Sequence, residues 1–334
     1  MLKELSPLHC LPSHISGALS DLDLSIPSET EYDEITSLLN QTVLLGGKRF
    51  RPMLLFLMGD IFSLPMSELL PFAKAIEYVH VASLCHDDVI DNASSRRGRP
   101  SINIVSSNKK AILSGDYLLA KVIRDMCLQG NMEILRELSF VIQDLSCGEW
   151  MQLQTNTLFA SAPPSFDWIL EIISKKTASM ISWSCLVPAI LSNSSFESRE
   201  LCRKFGITLG RIFQLTDDIL DFSTSGASEE EALADLKSGT INSVLLEYFR
   251  QNPQKWQHWI DGSFSKRYGS SLEDLDRAIS TIKDTSEELS LQASQLLLQI
   301  SKQLTTGSEK EKEKPMDSYH AIELLIHYLP RRKK

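Results

Sequence analysis

Val79 to Pro100 reads VHVASLCHDDVIDNASSRRGRP, and this stretch decides the fold. Its first half is an apolar, Gly-free run with the texture of a buried helix. Into it are set Asp87, Asp88 and Asp91, followed at once by Arg96 and Arg97. Helical positions i and i+4 lie about 40° apart, so Asp87 and Asp91 project in parallel while Asp88 points aside. Two like charges held that close in an apolar setting are costly unless a cation sits between them. Oxygen-only ligands favour a hard divalent ion, Mg2+ before Zn2+.

Leu201–Phe222, LCRKFGITLGRIFQLTDDILDF, repeats the pattern. Asp217, Asp218 and Asp221 stand at the same spacing on the same kind of apolar helix, with Gln214 three residues before Asp217. One such pattern arises by chance on a charged helix. Two of them, each set among leucine, isoleucine and valine, are hard to explain as solvated faces. If the two helices face each other across a cavity, their carboxylates can hold a cluster of Mg2+ ions and, through it, a diphosphate.

Working outward, Gly46-Gly47-Lys48-Arg49-Phe50-Arg51-Pro52 opens another apolar segment. Lys48 and Arg51 share a face in a helical first turn, and the two glycines let a ligand approach the backbone. That combination suits a diphosphate; a solvated basic turn is the plain alternative. His80, seven residues before Asp87, lies on nearly the same face, although a lone helical histidine is more often structural. In Gly148-Glu149-Trp150-Met151-Gln152, Glu149 and Gln152 share a face and need polar partners. Lys175-Lys176-Thr177-Ala178 places two lysines on one helix, where one of the two ordinarily faces solvent.

The rest of the chain reads as helices at 67–91, 109–127, 131–158 and 166–191, with Pro188 expected to kink or end the last. Further helices follow at 244–249, at 271–304 as one or two, and at 316–329, while 251–267 is polar and Trp-bearing. No period-two alternation of strands is visible. The expected fold is all-α, a single domain over 1–334 with a Pro-interrupted lead-in at 1–28 and a charged surface loop at 305–315. A net charge of -9 argues against a protein that coats nucleic acid. The six cysteines show no CxxC spacing, so neither a zinc site nor a disulfide framework is suggested. Pro7 and Pro12 interrupt what a signal peptide needs as an apolar core. No run approaches the roughly 20 apolar residues of a membrane span. The expectation is a cytoplasmic protein whose membrane contact, if any, is peripheral.

The motifs GGKRFRP (46–52), HDDVIDNASSRRGRP (86–100), GEWMQ (148–152), KTA (176–178) and FQLTDDILDF (213–222) together resemble the trans-prenyltransferases, the polyprenyl diphosphate synthase family. The resemblance covers about residues 30–250 in the expected order, and the final helix with its basic end, Arg331 to Lys334, resembles the family as well. It implies one large α-helical bundle around a deep cavity, ordinarily a homodimer, that condenses isopentenyl diphosphate head-to-tail with an allylic diphosphate. By this resemblance Asp87, Asp91 and Asp217 hold Mg2+, about three ions, with Asp88, Asp218 and Asp221 as weaker or supporting ligands. Arg96, Lys176, Thr177 and Gln214 would contact the allylic substrate. Lys48, Arg51, His80 and Arg97 would form a metal-free isopentenyl diphosphate site.

One segment departs from the family. Where its members carry a pattern like DLxxGKxTLP, this chain reads DLKSGTINSV at 235–244, with Thr240 in place of the lysine that contacts the allylic diphosphate. Lys237, one turn earlier in a helix, is the candidate to compensate. Chain length has its own handle. The growing tail should pass Ala82 and Ser83, with Val79 one turn deeper, and small residues there leave room for roughly six or more isoprene units. The alternatives are a short-chain farnesyl or geranylgeranyl synthase, a non-catalytic partner subunit of a heteromeric synthase, and a terpene cyclase. Two intact acid motifs speak against the partner subunit, and GGKRFRP against the cyclase.

Overall fold

The computed structural model describes residues 11–28, 33–96, 99–222, 236, 239–264, 275–306 and 316–332. Among them the chain is almost wholly helical, as its periodicity predicts. The elements run α1 (Ser13–Ser20), α2 (Asp33–Gln41), α3 (Phe50–Ile61), α4 (Met66–Ile90), α5 (Ile102–Val105), α6 (Asn108–Gln129), α7 (Met132–Leu158), α8 (Phe166–Ile173), α9 (Ser179–Leu191) and α10 (Phe196–Asp221). Helices Ser243–Gln251, Trp256–Ile260, Leu275–Thr306 and Met316–Tyr328 complete the order. Residues 1–10 of the lead-in and 307–315 of the charged loop lie outside the described residues.

The acid stretch sits at the end of α4 because α4 is walled in. Its long middle is buried, from Leu69 through Ala82 to Cys85, and it packs on α3 and α6. A helix enclosed in this way must be apolar all round, which is why its sequence shows no polar stripe. In α3, every residue from Pro52 to Gly59 is buried, between α4, α9 and the last helix. In α10, Gly206 and Gly210 let the backbone approach α9 and the residue before it: a Cβ at Gly206 would lie 2.4 Å from Ser182 Cα, and one at Gly210 2.4 Å from Ala178 Cα. Helix–helix contact this close is what glycine permits and alanine forbids.

The structure adds detail to these expectations. Pro188 does not end α9, which runs on to Leu191. The interruption lies upstream, at a π-helical turn over Ser174–Ala178 between α8 and α9. The chain also makes a small antiparallel hairpin, β1 (Ser95–Arg96) with β2 (Arg99–Pro100), whose two-residue strands are too short for any alternation to show. The Trp-bearing stretch after 251 is not a polar surface. Trp256, Trp259 and Phe264 are buried with Tyr248 and Phe249 in an aromatic cluster that also takes Leu215 of α10 and Phe222 just after it. The stretch near the end is one unbroken helix, Leu275–Thr306, packed along α10. Among the described residues no helix is long and apolar enough to cross a membrane.

Candidate active site

The last turn of α4 presents the first acid stretch. Asp91 is the residue after the helix, in αR geometry, and its N–H still donates to Asp87 O at 2.8 Å, so the i, i+4 alignment of the two carboxylates survives the helix end. Asp87 is half-buried, and desolvation, reinforced by Glu149 and Asp91 against Lys176, lifts its carboxyl to about 6. Asp91 moves in the same direction, burial first and Glu149 next. The middle acid behaves otherwise. Asp88 is wholly buried, and Arg96 Nε donates to its Oδ1 at 2.6 Å. Its Oδ2 is buried and has no hydrogen-bond partner among the described residues. A cavity of about 460 Å³ opens beside it, with Gly46, Gly47, Leu84, Arg96 and Ile102 in its wall.

At the end of α10, Asp218 is again the buried member. Its Oδ2 accepts from Ser243 N at 3.0 Å and Ser243 Oγ at 2.6 Å, and its Oδ1 from Gln214 Nε2 at 2.9 Å. Burial raises its carboxyl, and these three donors oppose that. Asp217 faces cations instead. Arg332, from the end of the chain, bonds Asp217 Oδ1 and Phe213 O, and its guanidinium lies 4.5 Å from the centre of the Phe213 ring. Desolvation lifts Asp217 to about 6, with Arg332, Lys48 and Arg51 pulling the other way. This places Lys48 and Arg51, from the start of α3, within electrostatic reach of the second acid stretch.

The π turn joins the two stretches. Lys176 pairs with Glu149 and donates to Gln152 Oε1 at 2.7 Å, on the side that Asp87 and Asp91 feel. Next to it, Thr177 Oγ1 donates to Gln214 Oε1 at 2.7 Å, on the side of Asp218. One widened turn therefore bonds to α10 through Thr177 and sets Lys176 within electrostatic reach of Asp87 and Asp91, and π bulges of this kind recur at functional sites. Lys175 is turned away, onto Asp144 at 2.8 Å and Glu171 at 3.4 Å.

Set against the sequence reading, the structure groups Asp87, Asp91 and Lys176 on one side, and Asp217, Lys48 and Arg51 on the other. Of the two middle acids expected as weaker or supporting ligands, Asp88 accepts from Arg96 through Oδ1 alone, while both oxygens of Asp218 accept from Ser243 or Gln214. Arg96 meets Asp88 through Nε, and Gln214 bonds both Asp218 and Thr177. Asp221 ends α10, close enough to raise Asp218. His80 is half-buried on α4, and its carbonyl accepts from Ser83 Oγ at 2.9 Å. Val79 and Ala82 are fully buried, and Ser83 is half-buried. Arg97 and Lys237 lie outside the described residues.

Several residues escaped the sequence. Arg49, with a left-handed φ of 49°, donates to buried Glu77 at 2.8 Å and to Leu44 O at 3.0 Å, which fixes the GGKRFRP turn against α4. Asn242 and Ser243, which depart from the family pattern, have structural work. Asn242 caps the helix Ser243–Gln251 through Leu245 N at 2.9 Å, and Ser243 holds Asp218. Arg332 was legible only as part of a basic end.

The donor set is oxygen alone, and among the described residues no three Asp, Glu, His or Cys side chains converge on one point as a closed metal cage. An open carboxylate set fits Mg2+, which keeps several waters and completes its shell with phosphate oxygens. The pressure that Asp91 and Glu149 exert on Asp87 is what such a cation would relieve.

Comparison with known proteins agrees with this geometry. The polyprenyl synthetase family model matches residues 32–282. Solanesyl-diphosphate synthase 1, mitochondrial, of Oryza sativa subsp. japonica is 35% identical over 226 residues, 62% of this chain and 52% of that protein. Decaprenyl-diphosphate synthase subunit 1 of Schizosaccharomyces pombe is 36% identical over 204 residues, 58% of this chain and 54% of that one. The chain spans about half the length of these curated relatives. Among solved structures, a decaprenyl diphosphate synthase from Rhodobacter capsulatus aligns over 96% of this chain and 97% of its own, with a TM-score of 0.75 at 24% identity, and so shares the fold. The expectation of a plain cytoplasmic location is corrected: several of the relatives that the chain matches bear mitochondrial or chloroplastic names. With the match covering most of the helical body and both acid stretches inside it, the chain belongs to the polyprenyl synthetase family.

Proposed function

We propose that this chain, acting as one domain, is a trans-prenyltransferase that condenses isopentenyl diphosphate head-to-tail with an allylic diphosphate to make a long polyprenyl diphosphate of the kind used for quinone side chains. The observation that carries the proposal is the π turn at Ser174–Ala178, which puts Lys176 beside the first acid stretch and Thr177 beside the second. Each cycle breaks the allylic C–O bond, forms a C–C bond to the alkene of isopentenyl diphosphate, and releases a proton. The physical difficulty is a leaving group carrying several negative charges. Mg2+ held by Asp87, Asp91 and Asp217 would supply charge neutralisation there. Lys176 adds a fixed positive charge on the allylic side. Lys48 and Arg51, at the N-terminal end of α3 where the helix dipole also favours an anion, offer the isopentenyl diphosphate a site, with His80 and Arg97 completing it. The departing diphosphate is the proton acceptor, so no side-chain base is assigned.

The apolar walls around α4 keep water from the cation. Buried Val79 and Ala82, with Ser83, line the path assigned to the tail, and Ala82→Phe should shorten the product. Exposed Ile112, Leu113 and Ile123 on α6 and Phe140, Trp150 and Leu153 on α7 suit a homodimer face. The long apolar product favours peripheral membrane contact on release. A second reading, a partner subunit of a heteromeric enzyme, is favoured by Thr240 alone. Incubating the purified chain with Mg2+, isopentenyl diphosphate and a panel of allylic primers separates these readings. Long products from the chain alone support the proposal. Farnesyl or geranylgeranyl products show a short-chain enzyme, and no product without a second subunit shows the heteromer.

A further inference from the structure

GEWMQ at 148–152 contributes no metal ligand to the reading above, yet it is built against the lysine that reading depends on. Gly148 is buried where α7 crosses the π turn. A Cβ there would lie 2.7 Å from Lys176 Cγ, 2.9 Å from Lys175 Cβ and 3.1 Å from Lys176 N. Only a glycine lets the two backbones meet so closely. One residue on, the Glu149 side chain is 14% exposed and pairs with Lys176, whose ammonium also donates to Gln152 Oε1 at 2.7 Å. An ammonium has three N–H donors, and these two contacts use two of them. The neighbouring Lys175 is held away by Asp144 and Glu171, so the two lysines cannot exchange places.

A free lysine carries four rotatable bonds and loses considerable rotamer entropy when a ligand fixes its head. Here the protein has fixed it beforehand. We propose that Glu149, with Gln152, is a positioning residue that holds the Lys176 ammonium so that its third donor meets an oxygen of the allylic diphosphate. The assignment rests on the reading of Lys176 as a diphosphate contact. Glu149 itself touches no substrate.

The test is steady-state kinetics with farnesyl diphosphate as the allylic probe, on wild type, Lys176→Ala, Glu149→Ala, Glu149→Gln, Glu149→Asp and the double variant K176A/E149A. Glu149→Ala should raise the farnesyl diphosphate KM roughly tenfold, with kcat and the isopentenyl diphosphate KM little changed. Glu149→Gln, whose amide oxygen accepts the same hydrogen bond, should recover most of the loss. Glu149→Asp keeps the charge but shortens the reach, so it should raise the KM several-fold; it decides the matter if the alanine variant does not fold. In the Lys176→Ala background, Glu149→Ala should have almost no further effect. A Glu149 variant with a lower unfolding midpoint and an unchanged allylic KM, or an equal KM penalty with and without Lys176, overturns the positioning role. If Lys176→Ala leaves the allylic KM unchanged, the diphosphate reading itself fails, and the role of Glu149 fails with it.

Discussion

Asp87-Asp88-Val89-Ile90-Asp91 and Asp217-Asp218-Ile219-Leu220-Asp221 carry the same acids at the same spacing at the ends of two long helices. Both spend their middle acid on structure: Asp88 on Arg96, Asp218 on Ser243 and Gln214. They differ in what surrounds the outer acids. Asp87 and Asp91 are crowded by a third carboxylate, Glu149, with Lys176 the main opposing charge. Asp217 already has a cation of the chain, Arg332, in contact, with Lys48 and Arg51 near. The same spacing therefore stands in different charge surroundings, although burial lifts Asp87 and Asp217 alike to about 6. The first stretch has a third carboxylate beside it and the second a cation in contact.

The sharpest way to break this comparison is to neutralise one acid at a time. Asp87→Asn should lower kcat by roughly 10³-fold or more, and Asp217→Asn by roughly 10²-fold, in a product-sizing assay at saturating Mg2+. Equal losses would show that Arg332, Lys48 and Arg51 do not share the load at the second stretch.

The next largest effect is on stability. Asp218→Ala leaves a buried serine and glutamine without their acceptor and should cost about 2–4 kcal/mol of unfolding free energy. Asp91→Ala, at an exposed helix end, should stay within about 0.5 kcal/mol. Denaturant midpoints measure both, and similar costs would erase the division between structural and free acids.

Titration gives a smaller signal. Burial and its carboxylate neighbours lift Asp87 to about 6 from the ordinary aspartate value of 3.8, so between those pH values the folded state holds the proton more tightly than the unfolded chain. Linkage then requires metal-free stability to rise as the pH falls from above 6 towards 4. Asp87→Asn should flatten that part of the curve in EDTA, and an unchanged slope would refute it. The Asp217 side chain is 42% exposed and touches Arg332, so Asp87 is the cleaner probe. The smallest expected change comes from supplying a cation where the family has one. Thr240→Lys should lower the allylic KM by roughly threefold to tenfold and leave the isopentenyl diphosphate KM alone. No improvement would mean that the site has no room for that contact.

Much of this was legible beforehand. The helices at Met66–Ile90, Asn108–Gln129 and Met132–Leu158 follow from apolar spacing, and the acids at 87, 91 and 217 stand out because carboxylates in apolar runs demand an explanation. The fate of Asp88 and Asp218 was not legible. A spacing shows which way a side chain leaves its helix, but the partners waiting there come from elsewhere, Arg96 eight residues on and Ser243 twenty-five on. The π turn was hidden for a similar reason: a one-residue widening leaves the apolar period of residues 166–191 almost intact. The role of the Trp-bearing segment was missed because its aromatic residues are separated by polar ones, and burial follows from the packing of several short helices rather than from one face.

By itself, then, the amino-acid sequence determined an all-α protein with two carboxylate-bearing helices, a basic Gly-Gly-Lys turn and a family resemblance, because periodicity and residue chemistry are local properties. Only the tertiary structure decided which neighbours the two middle aspartates bond, which of two adjacent lysines faces the acids, and that Arg332 lies on Asp217. Those are matters of charge pairing across helices, and electrostatic partners are chosen by distance in space, which no local pattern records.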